Sequence, residues 1–356
     1  MLYICGQICM HSLTPLLFEP NLHPVVWGGH RLQPYKGLPL TDDPIGESWE
    51  VSAVPSSISI VSNGIWQGMN LVSVINEAPN EILGYRVNAK YRGQLPLLVK
   101  FIDARRDLSI QVHPNDEMAQ REHGKMGKSE MWYIIRADEG SYLYAGFNRE
   151  ITPQEYEQRV ADGTITEVLA RHNVRAGDVF YLPAGRVHAI CGGIMLAEVQ
   201  QSSDVTYRIY DYNRPGMDGK PRELHTELAA KALNFHVESK YRTDYVDMDN
   251  RAVQIIDSPY FDVRVMEVTT PFHRNMMKYD SFVISMCIEG DCAIRVRATG
   301  DIVTLRSGHS TLIPAAIADY DVIPLHGKTR LLDAFIDNMD RSLNSRLNRF
   351  LHITAQ

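Results

Sequence analysis

An internal repeat constrains the fold of this chain more than any other feature of its sequence. Residues 174–188, VRAGDVFYLPAGRVH, align without gaps with residues 305–319, LRSGHSTLIPAAIAD. Arginine, glycine, proline and alanine recur in register. The shared pattern predicts a strand, a glycine turn, a second strand and a Pro-Ala corner that reverses the chain. Two copies of such a unit indicate a duplicated β architecture.

The rest of the chain carries the same β-type pattern. Short runs rich in Val, Ile, Tyr, Phe and Leu are broken by Gly, Pro, Asn or Asp about every 8–12 residues, which is typical of a β-sandwich or β-barrel. Helical signals are few. Thr152, Pro153 and Glu155 form a helix start, and the following pattern predicts a helix or a pair of helices through residue 172. Residues 223–235 repeat apolar positions at helical spacing and predict a second helical insertion.

The corner of the first repeat ends in a histidine. Its pattern G-D-x-x-x-x-P-x-G-x-x-H, over residues 177–188, resembles the second half of the cupin signature, and cupins are small double-sheet jelly rolls. This resemblance implies an all-β dominated fold of two cupin-type jelly-roll β-barrels with short helical insertions. We expect a poorly ordered N-terminal extension over residues 1–13, a catalytic cupin domain over residues 14–240 and a second cupin-like domain over residues 241–356.

Composition and charge exclude several classes of protein. Lys and Arg number 36 against 43 Asp and Glu, and a net charge of -7 gives no attraction to nucleic acid or anionic lipid. No apolar run approaches the ~18 residues that a membrane span needs, and the N-terminus lacks a secretory leader. The five cysteines show no Cys-x-x-Cys spacing, which indicates reduced thiols. We therefore expect a cytoplasmic protein, either a monomer or a weak homo-oligomer, without nucleic-acid or membrane partners.

Four residues of the first predicted roll form a candidate metal site. Gln111 and His113 are two residues apart in a strand, so their side chains project from the same face. Glu130 begins the following strand, and His188 closes the set from the corner. Two imidazoles, a carboxylate and an amide suit zinc with room for water or substrate. In the second copy Asp319 occupies the position of His188, so we expect the second domain to be metal-free and structural.

Several segments of the first roll together resemble a known family. They are QVHPNDE at 111–117, GKSEMWY at 127–133, LPAGRVHA at 182–189 and AEVQQSSDVTYR at 197–208. These motifs resemble the type I phosphomannose isomerases, in their shorter bacterial branch. Further segments agree, namely residues 15–32 with their Trp-Gly-Gly, GESWE at 46–50 and PLLVKFIDA at 96–104. The resemblance runs from about residue 14 to the C-terminus and is strongest over residues 95–225.

The resemblance implies an aldose-ketose isomerase that interconverts mannose 6-phosphate and fructose 6-phosphate and requires one zinc per chain. Such a reaction removes a proton beside a carbonyl, passes through an enediol and returns the proton to the neighbouring carbon. Zinc supplies Lewis acidity at the carbonyl and hydroxyl oxygens. No redox cofactor is needed, and the sequence has no Gly-x-Gly-x-x-Gly or P-loop run.

Arg208 matches the active-site arginine of the family. It lies 20 residues beyond the corner, in the stretch Ser-Asp-x-x-x-Arg. A guanidinium does not lose its proton near neutral pH, so we assign it to stabilising the enediolate or the phosphate and not to the role of base. A structural ion pair with Asp204 or Asp211 is the alternative.

Four further residues complete the predicted site. Lys128 precedes Glu130 by two residues and shares its strand face, and Glu198 is a candidate proton shuttle. The sequence leaves open whether Lys128, Glu198 or a water on the metal moves the proton. Lys100 can reach the cavity from the preceding strand. The resemblance implies that Ser109 contacts the substrate, although a plain strand serine remains an alternative.

Other classes of function fit the same barrel. A non-catalytic sugar-binding or regulatory cupin could dispense with Lys128 and Arg208, which are both present. A metal-dependent oxygenase, or a different sugar-phosphate isomerase or epimerase, is the second alternative, since the fold alone does not fix the chemistry. Cupin oxygenases usually present His-x-His, and Gln111 in the first position favours zinc over iron. His123 and His225 fall outside the set and are expected at the surface.

Overall fold

The computed structural model describes residues 13–337 as a β protein with short helices, which confirms the predicted fold class. The predicted N-terminal extension lies outside the described residues except for Leu13, which is buried. The strands in chain order are β1 (Leu16–Leu17), β2 (Leu22–Gly29), β3 (Ile45–Val51), β4 (Leu97–Ala104), β5 (Ile110–Val112), β6 (Glu130–Ala137), β7 (Tyr142–Phe147), β8 (Leu169–Asn173), β9 (Val179–Leu182), β10 (His188–Ile190), β11 (Ile194–Gln201), β12 (Tyr207–Tyr210), β13 (Arg242–Thr243), β14 (Ala252–Asp257), β15 (Asp262–Val268), β16 (Phe272–Asn275), β17 (Val283–Glu289), β18 (Cys292–Val296), β19 (Ile302–Leu305), β20 (Ser310–Ile313), β21 (Asp319–Pro324) and β22 (Thr329–Phe335). The helices are α1 (Leu32–Tyr35), α2 (Leu71–Glu77), α3 (Pro79–Leu83), α4 (Tyr85–Tyr91), α5 (Asp116–His123), α6 (Pro153–Ala161) and α7 (Thr226–Ala232).

The strands form two pairs of antiparallel sheets. The first roll has a seven-stranded sheet in the order β13-β9-β6-β11-β4-β2-β3 and a five-stranded sheet in the order β12-β5-β10-β7-β8. The second roll has a six-stranded sheet in the order β1-β20-β17-β22-β15-β14 and a four-stranded sheet in the order β16-β21-β18-β19. The strand orders correspond between rolls, since β9, β6, β11 and β4 of the first match β20, β17, β22 and β15 of the second.

The internal repeat has the same conformation in both rolls. Its strand is β9 in the first copy and β20 in the second. Gly177 and Gly308 precede these strands with φ of 89° and 76°, a left-handed conformation that glycine adopts without strain. His188 begins β10, and Asp319 begins β21 at the equivalent position. His188, a candidate metal ligand of the first roll, is therefore replaced by an aspartate, Asp319, at the equivalent position of the second roll.

Two strands cross the sequence boundary between the rolls. Leu16 of β1 pairs with Leu312 of β20, so the first described strand belongs to the sheet of the second roll. Conversely, β13 lies after residue 240 in the sequence but pairs with β9, so it belongs to the sheet of the first roll. Apart from these two strands, the sheets divide near residues 240 and 241. The exact domain boundaries remain a prediction.

The first helical insertion is shorter than the sequence indicates. Helix α6 starts as predicted, with Thr152 Oγ1 accepting a hydrogen bond from the backbone N–H of Glu155 at 3.1 Å. Gly163, with φ of 69°, follows the end of this helix. A second, short 3-10 helix follows over Ile165–Val168, as the predicted pair of helices implies, but the continuation over residues 169–172 is wrong, because Leu169–Asn173 form β8 and pair with β7. Tertiary pairing here overrides the local helical pattern.

The remaining helices show the limits of periodicity in short segments. The second predicted insertion is present as α7, seven residues long. Helices α1 and α5 were not predicted from the sequence. Nor were α2, α3 and α4, which have five to seven residues each and are broken by Pro79 and Gly84. Helices of this length do not fill the window in which a helical period can be recognised. Their apolar faces pack into a core shared with the second roll. Every helix within residues 13–337 is too short or too polar to serve as a membrane span.

Two central strands of the large sheet carry the polar residues that matter for the site. Both β4 and β11 are buried at every position. Lys100 of β4 and Glu198 of β11 are nevertheless opposite each other in register. Buried charges of this kind persist only with compensating partners. Lys100 and Glu198 thus form a buried polar region on one face of two otherwise largely apolar strands.

Candidate active site

Three buried side chains of the first roll converge on one point. His113, Glu130 and His188 each offer one ligand atom, and these atoms lie within 4.8 Å of one another. His113 Nε2 is 3.3 Å from Glu130 Oε2, and His188 Nε2 is 3.3 Å from Glu130 Oε1. All three residues are at most 1% exposed. This arrangement can hold a metal ion.

Strand register explains why the three residues meet. His188 begins β10 and pairs directly with Gln111 of β5, while His113 follows β5 on the same face as Gln111. Glu130 begins β6 in the other sheet and pairs with Leu182, which ends β9 just before the Pro-Ala corner. Both sheets of the roll therefore contribute a ligand to the same end of its interior.

Backbone carbonyls orient both imidazoles. His113 Nδ1 is 2.9 Å from the carbonyl oxygen of Val205, and His188 Nδ1 is 2.8 Å from that of Arg186. In each ring the Nδ1–H donates to the carbonyl, which leaves the Nε2 lone pair directed at the cluster. This is the tautomer that a metal-binding histidine requires.

The protonation states of the cluster also suit a metal. Burial, together with the Lys128 charge, lowers the pKa of His113 to about 3, and burial lowers the pKa of His188. Burial alone would raise the pKa of Glu130, but the Lys128 ammonium and the two histidines hold it well below its usual range. Neither oxygen of Glu130 accepts a hydrogen bond of good geometry within the described chain. Two neutral imidazoles and an unsatisfied buried carboxylate are donors that fit zinc.

Gln111 lies beside the cluster. Its Nε2 is 3.2 Å from His188 Nε2, and Ser109 Oγ donates a long hydrogen bond of 3.4 Å to its Oε1. The amide oxygen and nitrogen have nearly the same shape, so rotation of the amide would direct the oxygen at the cluster. Ser109 and Gln111 share a strand face, and both line the cleft described next. A role for Gln111 as fourth ligand stays a prediction.

A cleft with a cavity volume of about 170 Å³ adjoins the cluster through Gln111 and Lys128, which line the cleft and contact the ligands, whereas the three ligands themselves are not part of its lining. Three of the four tryptophans of the chain, Trp27, Trp49 and Trp132, contribute to its walls. The charged side chains of the lining are Glu47, Lys100, Lys128, Glu198, Asp204, Arg208 and Arg222. Most of the lining residues are polar or charged, which suits a small, polar and charged ligand better than an apolar one.

Lys128 lies between the metal cluster and the cleft. Its Nζ is 3.1 Å from both His113 Nε2 and Glu130 Oε2, and the residue is buried. The spacing of two residues from Glu130 places both side chains on the same face of the chain entering β6. An ammonium at this position can face a negative charge in the cleft.

Lys100 lies between two carboxylates at the other side of the cleft. Its Nζ is 3.4 Å from Glu47 Oε2 and 3.5 Å from Glu198 Oε1. Lys100 and Glu198 were predicted from the sequence as site residues, whereas Glu47 and Trp49, which also line the cleft, were not. The available signal was the polar face of GESWEV, where residues 47 and 49 project from one side of a predicted strand.

Arg208 reaches the cleft from β12, in register with Gln111 of β5. Its Nη1 donates to the carbonyl oxygen of Glu223 at 2.8 Å, and its Nε has no hydrogen-bond partner in the described chain. Burial, together with the nearby Arg222 charge, lowers its pKa. Within residues 13–337 it forms no ion pair.

The two acids considered as partners of Arg208 are bound elsewhere. Asp211 accepts hydrogen bonds from Arg214 and Arg222, whereas Asp204 pairs with Lys125. The alternative of a structural ion pair for Arg208 is therefore not observed.

The remaining histidines stay outside the metal cluster. His123 ends α5 at the surface, and its Nε2 lies 2.9 Å from the hydroxyl of Tyr207. His225 is half-buried just before α7, and its Nδ1 accepts a long hydrogen bond from the backbone N–H of Arg208 at 3.3 Å. His225 thus supports the strand that carries Arg208.

The second roll presents other residues at the equivalent positions. Asp319, the equivalent of His188, pairs with Asn275, just as His188 pairs with Gln111. Ile313, the equivalent of Leu182, pairs with Val283, which therefore stands where Glu130 stands in the first roll. Asp319 instead forms an exposed pair with His273 at 2.5 Å.

Comparisons with known proteins agree with this geometry. The sequence profile described as phosphomannose isomerase type I, catalytic domain, matches residues 17–144. Mannose-6-phosphate isomerase of Streptococcus mutans is 32% identical over 319 residues, which cover 88% of this chain and 98% of that protein. The crystal structure of mannose 6-phosphate isomerase from Bacillus subtilis aligns with a TM-score of 0.81 and 29% identity over 91% of this chain and 100% of that one. A zinc-bound mannose 6-phosphate isomerase structure aligns with a TM-score of 0.73 over 91% of this chain and 99% of that one, and at 17% identity this similarity concerns the fold alone.

Proposed function

Because the chain belongs to the type I phosphomannose isomerases, we propose that it interconverts mannose 6-phosphate and fructose 6-phosphate through an enediol at a single zinc site. The observation that carries this proposal is the buried cluster of His113, Glu130 and His188, which adjoins a cleft lined by lysine and arginine. These three residues would hold zinc, with Gln111 as a weaker fourth ligand. The bound zinc would supply Lewis acidity towards the carbonyl and hydroxyl oxygens of the sugar.

The cationic residues of the cleft account for binding of an anionic sugar. Lys100, Lys128 and Arg208 face the same space, and Arg208 has an unsatisfied Nε. A phosphate or a developing enediolate would find charge-assisted donors there. Ser109 is buried at the same wall and offers a hydroxyl to the sugar.

Glu198 is the group best placed to move the proton. Its Oε2 accepts a hydrogen bond from Trp132 Nε1 at 2.9 Å, while its Oε1 has no hydrogen-bond partner in the described chain. Burial and the neighbouring Glu130 charge raise its pKa, which brings a carboxyl closer to the pH at which proton transfer is efficient. Lys128 instead lies against the ligands, where a fixed positive charge can stabilise the enediolate oxygen.

The test is a coupled assay of fructose 6-phosphate formation from mannose 6-phosphate by the purified protein, with its metal content measured alongside. We expect about one zinc per chain, loss of activity after chelation and recovery on addition of zinc. Mannose without its phosphate is the matched control substrate and should be turned over far more slowly. A zinc-loaded, folded protein that forms no fructose 6-phosphate would overturn the proposal and leave the sugar-binding and oxygenase alternatives.

A further inference from the structure

Lys100 is the centre of a row of side chains that crosses four adjacent strands of the large sheet. Trp49 of β3 pairs with Lys100 of β4, Lys100 pairs with Glu198 of β11, and Glu198 pairs with Trp132 of β6. Glu47 lies two residues before Trp49 and shares its face. The Lys100 ammonium thus lies between Glu47 and Glu198. Glu47 accepts a hydrogen bond from the indole N–H of Trp49, and Glu198 accepts one from that of Trp132.

The two glutamates are held differently. In Glu47 the same oxygen, Oε2, accepts the Trp49 indole N–H at 2.6 Å and lies 3.4 Å from Lys100 Nζ. In Glu198 the tryptophan binds Oε2, and the oxygen nearest to Lys100 is Oε1, at 3.5 Å. The Trp49 ring also lies under the ammonium, 4.8 Å from Nζ to the ring centroid. The two ion-pair distances are nearly equal, so the contact with the Trp49 ring is what favours the Glu47 side for Lys100.

The pKa values of the two glutamates are shifted in opposite directions. Burial would raise the pKa of Glu47, but the Lys100 charge and the Trp49 hydrogen bond lower it below the ordinary value. In Glu198, by contrast, burial and the Glu130 charge outweigh Lys100, and the pKa is raised. The surroundings therefore favour the ionised carboxylate more strongly in Glu47 than in Glu198.

We propose that Glu47 is a positioning residue, which holds the Lys100 ammonium against Trp49 and so prevents it from closing onto Glu198. The inference rests on the proposed function, in which Lys100 binds substrate and Glu198 transfers the proton. Without the Glu47 carboxylate, Lys100 would have Glu198 as its nearest anion. The ion pair between Lys100 and Glu198 Oε1, 3.5 Å long in the presence of Glu47, would then shorten, which would withdraw Lys100 from the substrate and occupy that oxygen.

A double-mutant cycle tests this role. Glu47→Gln keeps the shape of the side chain and removes its charge, and we expect kcat/KM to fall ~10-fold with zinc retained, in the range of a misplaced site residue. In the Lys100→Met background the same substitution should change kcat/KM less than ~2-fold, because the group through which Glu47 acts is gone. A residue that merely supports the fold would not show this coupling.

Glu50 provides the matched control on the same strand. It is also buried and also paired with a lysine, Lys36, at 2.6 Å, but it does not line the cleft. Glu50→Gln should lower the melting temperature and leave kcat/KM of the folded enzyme within ~2-fold of wild type, as expected of a stability effect alone. Should Glu47→Gln fail to fold, Trp49→Phe removes the indole N–H that holds Glu47, and its smaller loss in kcat/KM should likewise disappear in Lys100→Met.

The outcomes separate this inference from the proposed function. An inactive, zinc-loaded wild-type protein would overturn the isomerase assignment. An active wild type in which Glu47→Gln behaves like Glu50→Gln would overturn the positioning role alone. The positioning role would also be overturned if the free-energy effects of Glu47→Gln and Lys100→Met on kcat/KM were additive in the double variant.

Discussion

Gln111 and His188 face each other directly across the β5–β10 pair, with Gln111 Nε2 3.2 Å from His188 Nε2. The pairing ties the amide to the metal cluster through the backbone register of two strands. A residue held in this way can act on the metal without belonging to the core of three strong ligands. The first two predictions separate the roles of these two residues.

His188→Ala should abolish activity together with zinc binding. Two strong ligands, His113 and Glu130, would remain, and two rarely retain zinc. Elemental analysis of the purified variant is the measurement, with circular dichroism to show that it folds. A variant that keeps one zinc per chain would refute His188 as a ligand.

Gln111→Ala should weaken zinc binding without abolishing it. Loss of a weak fourth ligand, or of a group that supports His188, is expected to cost ~10–100-fold in metal affinity. Competition with a chelator of known affinity gives the number, and excess zinc should restore most of the activity. Unchanged affinity would place Gln111 outside the coordination shell and leave it as a substrate contact.

Arg208→Ala should lower kcat by ~100-fold or more, as expected when one preorganised donor to a transition-state oxyanion is removed. KM should change much less, and zinc should stay bound. Steady-state kinetics of Arg208→Ala and Arg208→Lys decide the point, with Arg175→Ala as an exposed arginine control. A raised KM with intact kcat would instead assign Arg208 to uniform binding of the phosphate. Wild-type values for both parameters would remove Arg208 from the site.

Asp319→Ala should leave kcat within a few-fold of wild type, although Asp319 is the repeat equivalent of His188. The residue pairs with His273 on the exposed face of the second roll, and Val283 takes the position of the metal carboxylate there. Any effect should appear as a small change in melting temperature, as for a surface ion pair. A large fall in kcat at unchanged melting temperature would show that the second roll contributes to catalysis.

Asp211→Asn should destabilise the protein at neutral pH by roughly 2 kcal/mol, because it leaves Arg214 and Arg222 without their shared carboxylate. Burial opposes ionisation of Asp211, but the two guanidinium groups lower its pKa below the ordinary value of 3.8. A lowered folded-state pKa stabilises the fold above the unfolded pKa and loses this effect as the pH falls through the folded value. The difference in the free energy of unfolding between wild type and Asp211→Asn should therefore be constant between pH 7 and 5 and shrink as the pH falls towards and below 3.8.

Denaturant titrations at several pH values measure this difference, with the exposed Asp43→Asn as control. A difference that already disappears at pH 5 would contradict the lowered pKa of Asp211.

The repeat and the ligand spacing were readable from sequence because both depend on local pattern. The i, i+2 relation of Gln111 and His113 follows from strand geometry, and the corner motif gives the place of His188. Glu47 was not recognised because its contact with Lys100 depends on the pairing of β3 with β4, strands separated by three helices. Residues 169–173 were misassigned for a related reason, since only their pairing with β7 makes them a strand.

The pairing of Leu16 with Leu312 sets an order of events during synthesis of the chain. Roughly 300 residues separate these partners, and at ribosomal speeds of about 5–20 residues per second the second emerges about 15–60 s after the first. The strands of the metal-bearing roll are all made within that interval, while β1 waits unpaired. Pairing of the N-terminal strand therefore follows synthesis of the C-terminal sheet, and its large sequence separation makes it a contact of the kind that forms slowly.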